Sequence, residues 1–181
     1  MSGAIRTAED DLLEAVATGT SDDPFAVLGR HETTLNGRPA VVIRTVQPAA
    51  SIVELVTDTG VIPMTRRRPE GLFEVTVPLD GRDPQTFAYR FRIHDGGIVR
   101  DVIDPYQFGQ VLSDFDLHLL SEGTHYRAWE KLGSHRIIFG AVSGVHFAVW
   151  APNAQRVSVI GDLNHWDGRV HVMRRLVPSG I

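Results

Sequence analysis

Val145-His146-Phe147-Ala148-Val149-Trp150-Ala151-Pro152-Asn153-Ala154-Gln155-Arg156-Val157-Ser158-Val159 is the stretch from which the fold can be read. Apolar side chains at 145, 147 and 149 alternate with His146 and Ala148, and beyond Pro152 the alternation resumes with Val157, Ser158 and Val159. A period of two puts successive side chains on opposite faces of an extended chain, so both segments read as strands with one buried face. Residues 86–93 carry the same signature, with Phe87, Tyr89, Phe91 and Ile93 on one face and Ala88, Arg90 and Arg92 on the other. The three aromatic residues are therefore expected in a core. Further strands are expected over 38–46, 52–57 and 72–77, which are rich in Val and Ile or follow Pro and Gly punctuation. Thr7 and Asp10, ahead of Leu12, Leu13 and Val16, predict a short capped helix over 7–17. Leu117, Leu120, Trp129 and Leu132 predict a second helical stretch over 116–132, interrupted at 121–124.

Self-similarity extends this reading. Leu28-Gly29-Arg30-His31 recurs as Leu132-Gly133-Ser134-His135, and the same offset of 104 positions sets Pro48 on Pro152, Val53 on Val157, Leu55 on Val159 and Asp58 on Asp162. Beyond Asp58 the offset is 109, with Met64 on Met173, Arg66 on Arg175, Gly71 on Gly180 and Leu72 on Ile181. The second copy therefore has five more residues in one inter-strand loop, which reads Gly161-Asp162-Leu163-Asn164-His165-Trp166-Asp167-Gly168-Arg169. The shared histidines, His31 and His135, are expected to fix the turn into each unit. The expected fold is all-β, with tandem immunoglobulin-like β-sandwiches and short helices. Residues 1–112 are assigned to the N-terminal helix and first sandwich, and 113–181 to a connecting helix and a second, incomplete sandwich. Because Ile181 matches Leu72, which opens a strand in the first copy, the chain is expected to be a fragment of a longer protein.

Composition narrows the function. At 181 residues, with 43% hydrophobic and 22% charged side chains, the chain is an ordinary globular protein rather than a disordered one. A net charge of −4, with no basic run longer than Arg66-Arg67-Arg68, argues against nucleic acid as a partner. The absence of cysteine excludes disulfides, thiolate zinc sites and cysteine nucleophiles. The N-terminus lacks an apolar signal segment, and no run approaches the roughly 18 apolar residues of a membrane span, so a cytoplasmic protein without a membrane partner is expected. His165 and His171, six apart, and His118 and His125, seven apart, lack metal-ligand spacing. Asp101, Asp104, Asp114 and Asp116 read as solvated or capping groups. No catalytic residue, metal or cofactor is expected.

Two motifs carry a family resemblance. Asp23-Pro24-Phe25-Ala26-Val27-Leu28-Gly29-Arg30-His31-Glu32 resembles the opening motif of bacterial glycogen (1,4-α-glucan) branching enzymes, members of the α-amylase superfamily. The run from Phe147-Ala148-Val149-Trp150-Ala151-Pro152 to Trp166-Asp167-Gly168-Arg169 resembles the entry into their isoamylase-type carbohydrate-binding module. The resemblance implies a non-catalytic, glucan-binding and positioning region ahead of a catalytic (β/α)₈ barrel. In full length such an enzyme transfers α-1,4-glucan segments to make α-1,6 branches in glycogen biosynthesis. Glycosyl transfer of this kind needs a nucleophilic carboxylate and a carboxylic acid on either side of the scissile bond. The acidic residues here form no such pair, so this region alone is expected to be inactive. Implied partners are α-glucan, as glycogen or maltooligosaccharides, and the barrel of the same parent chain. The competing readings are a stand-alone glycogen-binding module, the N-terminal region of a related debranching or trehalose-forming hydrolase, and tandem adhesion or interaction domains, the last disfavoured by the absence of cysteine and of a signal segment.

Sugar binding by a small β module rests on an exposed aromatic ring against the apolar face of a glucose unit, with polar side chains on the hydroxyls. Trp166, in the loop that only the second copy has, is the candidate platform, flanked by Asn164 and Asp167. The residues alone leave open that Trp166 packs over the sandwich edge; the resemblance implies a stacking Trp at this position. Trp150 stands where the first copy has Val46, and Trp129 lies at helical spacing before Leu132; both are expected to pack. The first copy contains no Trp and is expected to be a spacer or positioning module rather than a strong sugar binder.

Overall fold

The computed structural model describes residues 7–181. Two α-helices, α1 (Ala8–Thr18) and α2 (Asp114–Glu122), accompany ten strands. In chain order these are β1 (Gly29–Leu35), β2 (Arg38–Val46), β3 (Ile52–Thr57), β4 (Gly60–Pro63), β5 (Thr65–Arg68), β6 (Leu72–Pro78), β7 (Arg90–Asp95), β8 (Ile98–Val102), β9 (Gly133–Phe139) and β10 (Val142–Ala148). The fold is all-β with short helices, as expected. No helix among the described residues is long and apolar enough to cross a membrane.

The first unit is a sandwich of two four-stranded antiparallel sheets, ordered β1-β2-β6-β5 and β4-β3-β7-β8. β2 is buried on both faces. Val41 and Ile43 meet Val53 and Leu55 of β3, Phe73 of β6 and Phe91 and Ile93 of β7 in the core between the sheets. Val46, on the opposite face of the strand by parity, lies under α1 with Leu13, Val16, Ala17, Leu28, Leu72 and Tyr106. Each such fully buried aliphatic side chain contributes about 1.5–3 kcal/mol relative to exposure. α1 starts at a capping box, in which Thr7 Oγ1 accepts from the Asp10 N–H and the Asp10 carboxylate accepts from the Thr7 N–H. Its outer side is tied down by polar contacts, Arg44 to Glu9 at 3.2 Å and Arg68 to the Asp10 carbonyl at 3.0 Å.

Two element boundaries differ from expectation. The strand expected over 86–93 begins only at Arg90, and Pro84–Thr86 is a 3₁₀ turn. Phe87 and Tyr89 are nevertheless buried core residues, and the backbone at Phe87 is extended although no strand is assigned there. The Arg30 guanidinium substitutes for a strand partner by donating to the carbonyls of Phe87 and Gln85 at 2.7 and 3.0 Å. The second helical stretch is split: α2 is capped by Ser113 and Asp116, ends at the left-handed Gly123 (φ 71°), and a separate 3₁₀ turn covers Ala128–Glu130.

The repeat is visible bond by bond. Met64 N–H donates to the Val53 carbonyl at 2.9 Å, and Met173 N–H to the Val157 carbonyl at 2.9 Å. Gln47 N–H reaches the Gly71 carbonyl at 2.8 Å, as Ala151 N–H reaches that of Gly180 at 2.8 Å. His31 Nε2 meets the Leu28 carbonyl at 3.0 Å and His135 Nε2 that of Leu132 at 2.9 Å, so both histidines fasten the turn ahead of their first strand. The correspondence also reaches back into the helices, beyond the sequence match. Thr20 N–H donates to the Ala15 carbonyl and Thr124 N–H to that of Leu119, behind left-handed caps at Gly19 and Gly123.

The second unit is looser than the first. β9 and β10 pair only with each other, and the run 157–159 forms a single bridge, Ser158 to Val172, rather than a strand. Val145 and Phe147, the counterparts of the buried Val41 and Ile43, are exposed and border an open trough of about 600 Å³. Trp150 is 60% exposed where Val46 is 1% exposed, and Trp129 is exposed where its counterpart Phe25 packs edge-on against Tyr106. The packing roles expected for both tryptophans are therefore not realised. One reason lies in the helix: Leu13, Val16 and Ala17 seat α1, whereas α2 has Leu117, Leu120 and the polar Ser121 at those positions, a narrower apolar stripe.

Polar contacts join the units. Tyr106 Oη lies 3.2 and 3.1 Å from the carbonyls of Val170 and Val172, Arg156 donates to the Gly19 carbonyl at 2.8 Å, and the Arg174 guanidinium stacks 3.9 Å over the Phe25 ring. Next to this seam sits Asp104, expected to be solvated or capping. It caps the turn Pro105–Gln107 through the Tyr106 N–H, but it is buried and accepts from Tyr89 Oη at 2.6 Å. Burial pushes its carboxyl up to about 6, against the hydrogen bonds from Tyr89 and Tyr106 that favour the charged form. A carboxyl raised in the folded state favours folding fully below its unfolded value, and that contribution fades as pH rises through 6. Urea unfolding from pH 4 to pH 7 should therefore show the difference in stability between Asp104→Asn and the parent moving in favour of the variant by roughly 2 kcal/mol. A difference that stays flat across this range would contradict the burial of an ionising carboxyl here.

Candidate functional site

Residues 162–168 of the second copy's extra loop stand where the first copy has a two-residue turn, Asp58-Thr59, between β3 and β4. Asp162–Asn164 forms a 3₁₀ turn, and His165 and Trp166 follow in the left-handed region at φ 54° and 60°. Non-glycine residues pay a steric cost there, about 1–3 kcal/mol each, which persists only where the surroundings over-determine the conformation. Here they do. Trp166 N–H donates to the Gly161 carbonyl at 3.0 Å, Asp167 N–H to that of Asn164 at 3.0 Å, and the Trp166 indole N–H to Asp162 Oδ1 at 3.0 Å.

The three residues expected to form the site are adjacent but differently employed. Trp166 is 63% exposed, held on a strained backbone with its polar edge already satisfied, so the surface it offers is apolar. Asn164, expected to reach a sugar hydroxyl, is 2% exposed. Its Oδ1 accepts from the Gly161 N–H at 3.0 Å, and its Nδ2 is 2.8 Å from the Val159 carbonyl and 2.9 Å from His171 Nδ1. Both amide hydrogens are thus committed inside the loop. The imidazole of His171 completes this bond as acceptor; burial lowers its pKa, and Arg100 adds to the effect, favouring the neutral ring required.

Asp167 lies on the other flank of Trp166, in a bidentate pair with Arg169 at 2.6 and 2.9 Å, and also accepts from the Arg169 N–H. The guanidinium beside it holds its carboxyl below the usual range. A charged carboxylate on the rim of an exposed ring is an acceptor for hydroxyl groups. The arrangement offers an apolar plate flanked by two carboxylates, Asp162 and Asp167, which suits a neutral polyol with an apolar face.

Sequence reasoning missed what holds the loop from outside. Asp95 and Arg100, in the β7–β8 hairpin of the first unit, reach His165 and the Leu163 carbonyl at 2.6 and 3.1 Å. These pairs bridge 70 and 63 positions and follow no periodicity, so nothing in a single sequence marks them. The helix repeat, by contrast, was readable from Gly19 and Gly123 at the same offset as the Leu-Gly-x-His motifs.

Comparison with known proteins places the chain. Residues 9–106 match the family "alpha-1,4-glucan branching enzyme GlgB, N-terminal domain", and residues 131–181 match carbohydrate-binding module 48, the isoamylase N-terminal domain. The 1,4-alpha-glucan branching enzyme GlgB of Gloeobacter violaceus is 48% identical over 168 residues, 92% of this chain and 22% of that protein. That of Paramagnetospirillum magneticum is 49% identical over 179 residues, 98% of this chain and 22% of that protein. The chain therefore spans about a fifth of the length of these relatives. Two family matches in tandem, on a duplicated β architecture, agree with the resemblance read from the motifs: the chain belongs to the family of alpha-1,4-glucan branching enzyme GlgB N-terminal domains.

Proposed function

We propose that this chain is the glucan-binding and positioning region of a cytoplasmic 1,4-α-glucan branching enzyme. In the whole protein, a catalytic (β/α)₈ barrel in the same chain cleaves α-1,4 bonds and re-forms them as α-1,6 branches, while this region holds the α-glucan on which it works. The observation that carries the reading is the presentation of Trp166: an exposed indole on a strained, over-determined loop that the second unit has and the first lacks. Strain of this kind is kept where a side chain must be displayed in one orientation.

In this arrangement the indole face covers the apolar face of one glucose unit. Its N–H is occupied by Asp162, so recognition by the ring is apolar, and the sugar hydroxyls are left to Asp167 and water. Asn164 acts through the loop rather than by touching sugar. Neutral hydroxyl groups need no basic groove, in keeping with the net charge of −4.

Two variants test this. Trp166→Ala should weaken binding of maltoheptaose, measured by isothermal titration calorimetry, by about 1–3 kcal/mol, the range found for aromatic stacking platforms. Unchanged affinity would remove this ring from the site. Asn164→Ala should destabilise the loop by about 1–3 kcal/mol, the cost of leaving buried partners unsatisfied. It should appear as faster amide hydrogen exchange at Gly161 and Trp166 together with weaker maltoheptaose binding; parent-like exchange at both amides would refute the role given to Asn164.

A further inference from the structure

The loop that carries Trp166 is fastened to the first unit on two sides. On one side, His165 Nε2 donates to Asp95 Oδ2 at 2.6 Å, and the Arg100 guanidinium donates to the Leu163 carbonyl at 3.1 Å. On the other, Arg169 packs against the backbone of Gly19 at the end of α1, so closely that a Cβ added there would lie 3.2 Å from Arg169 Cγ. Asp95 and Arg100 are both held in the β7–β8 ladder. Asp95 pairs with Ile98 across the Gly96-Gly97 turn, and Arg100 pairs with Ile93 within the β7–β8 ladder. The clamps grip His165 and Leu163, the residues one and three positions ahead of the tryptophan. His165 is also the first of the two left-handed residues, so its backbone sets the direction in which the indole leaves the loop.

We propose that Asp95 and Arg100 are positioning residues for the sugar platform, making α-glucan capture a joint property of the two units and the first unit a mount rather than a spacer. The proposal rests on Trp166 being a glucan contact. Without the clamps, the left-handed pair at His165 and Trp166 relaxes toward ordinary backbone angles and the indole leaves its displayed orientation. Apparent affinity then falls in proportion to the fraction of molecules that still hold the competent loop.

The test uses the full ¹⁵N-labelled chain, with two readouts on the same samples: maltoheptaose titration and the indole N–H resonance of Trp166, identified by its loss in Trp166→Phe. Asp95→Ala and Arg100→Met, which keeps the aliphatic stem, should each displace that resonance and weaken binding by about fivefold, as expected when the competent fraction drops to about one fifth. Asp95→Asn keeps an oxygen acceptor for His165 and should restore both readouts toward the parent. Backbone resonances of β2, β3 and β6 should stay in place in every variant, separating loss of the clamp from loss of the fold. Asp95→Ala with parent-like affinity and an unmoved indole overturns the proposal. So does weakened affinity with an unmoved indole, which would make Asp95 a direct sugar contact. Failure of the underlying reading is distinguishable, because Trp166→Ala would then bind maltoheptaose like the parent whatever the indole does in the Asp95 variants.

Discussion

Much of this structure hangs on one buried carboxyl. Asp104 takes the hydroxyl of Tyr89 from inside the first sandwich and the backbone N–H of Tyr106 from the segment leaving it. Tyr106 in turn packs against Phe25, comes so close to Gly29 that a Cβ there would lie 2.6 Å from its carbonyl oxygen, and sends its hydroxyl to two carbonyls of the second unit. The core, the helix-covered face and the second unit thus meet within three residues. A carboxyl in this position is costly to bury, and its partners offset that cost only when all are in place, so the node favours one arrangement of the units over many.

Legibility in the sequence divides along physical lines. Alternation and the offset of 104 marked most of the strands, the core aromatics and the turn-fixing histidines, because a duplicated backbone must satisfy the same hydrogen bonds at the same spacing. Burial was harder to read. Trp150 and Trp129 have the local pattern of packed residues, but packing needs a partner surface, and neither α2 nor the hairpin β9–β10 provides the cover found in the first unit. Periodicity reports which way a side chain points and says nothing of what lies opposite it.

The geometry of the candidate loop was legible only in part, for the same reason. Trp166 stood out because it sits in an insertion absent from the other copy. Asn164 carried the same polar signature as a ligand-binding amide and proved to be the loop's internal brace, since a side chain that satisfies backbone groups is indistinguishable in sequence from one that awaits a sugar. Polar clamps across more than 60 positions leave no local trace at all.

The five-residue difference between the copies gives the molecule an internal reference. Both halves share the hinge histidine, the capping glycines and the strand-closing bonds at Met64 and Met173, yet one ends its hairpin in a bare two-residue turn and the other in a displayed indole. A scaffold copied twice along one chain, with a single loop lengthened in one copy, separates the cost of building a sandwich from the cost of displaying one exposed aromatic ring. Here the lengthened loop leans on the unmodified twin, through Asp95 and Arg100.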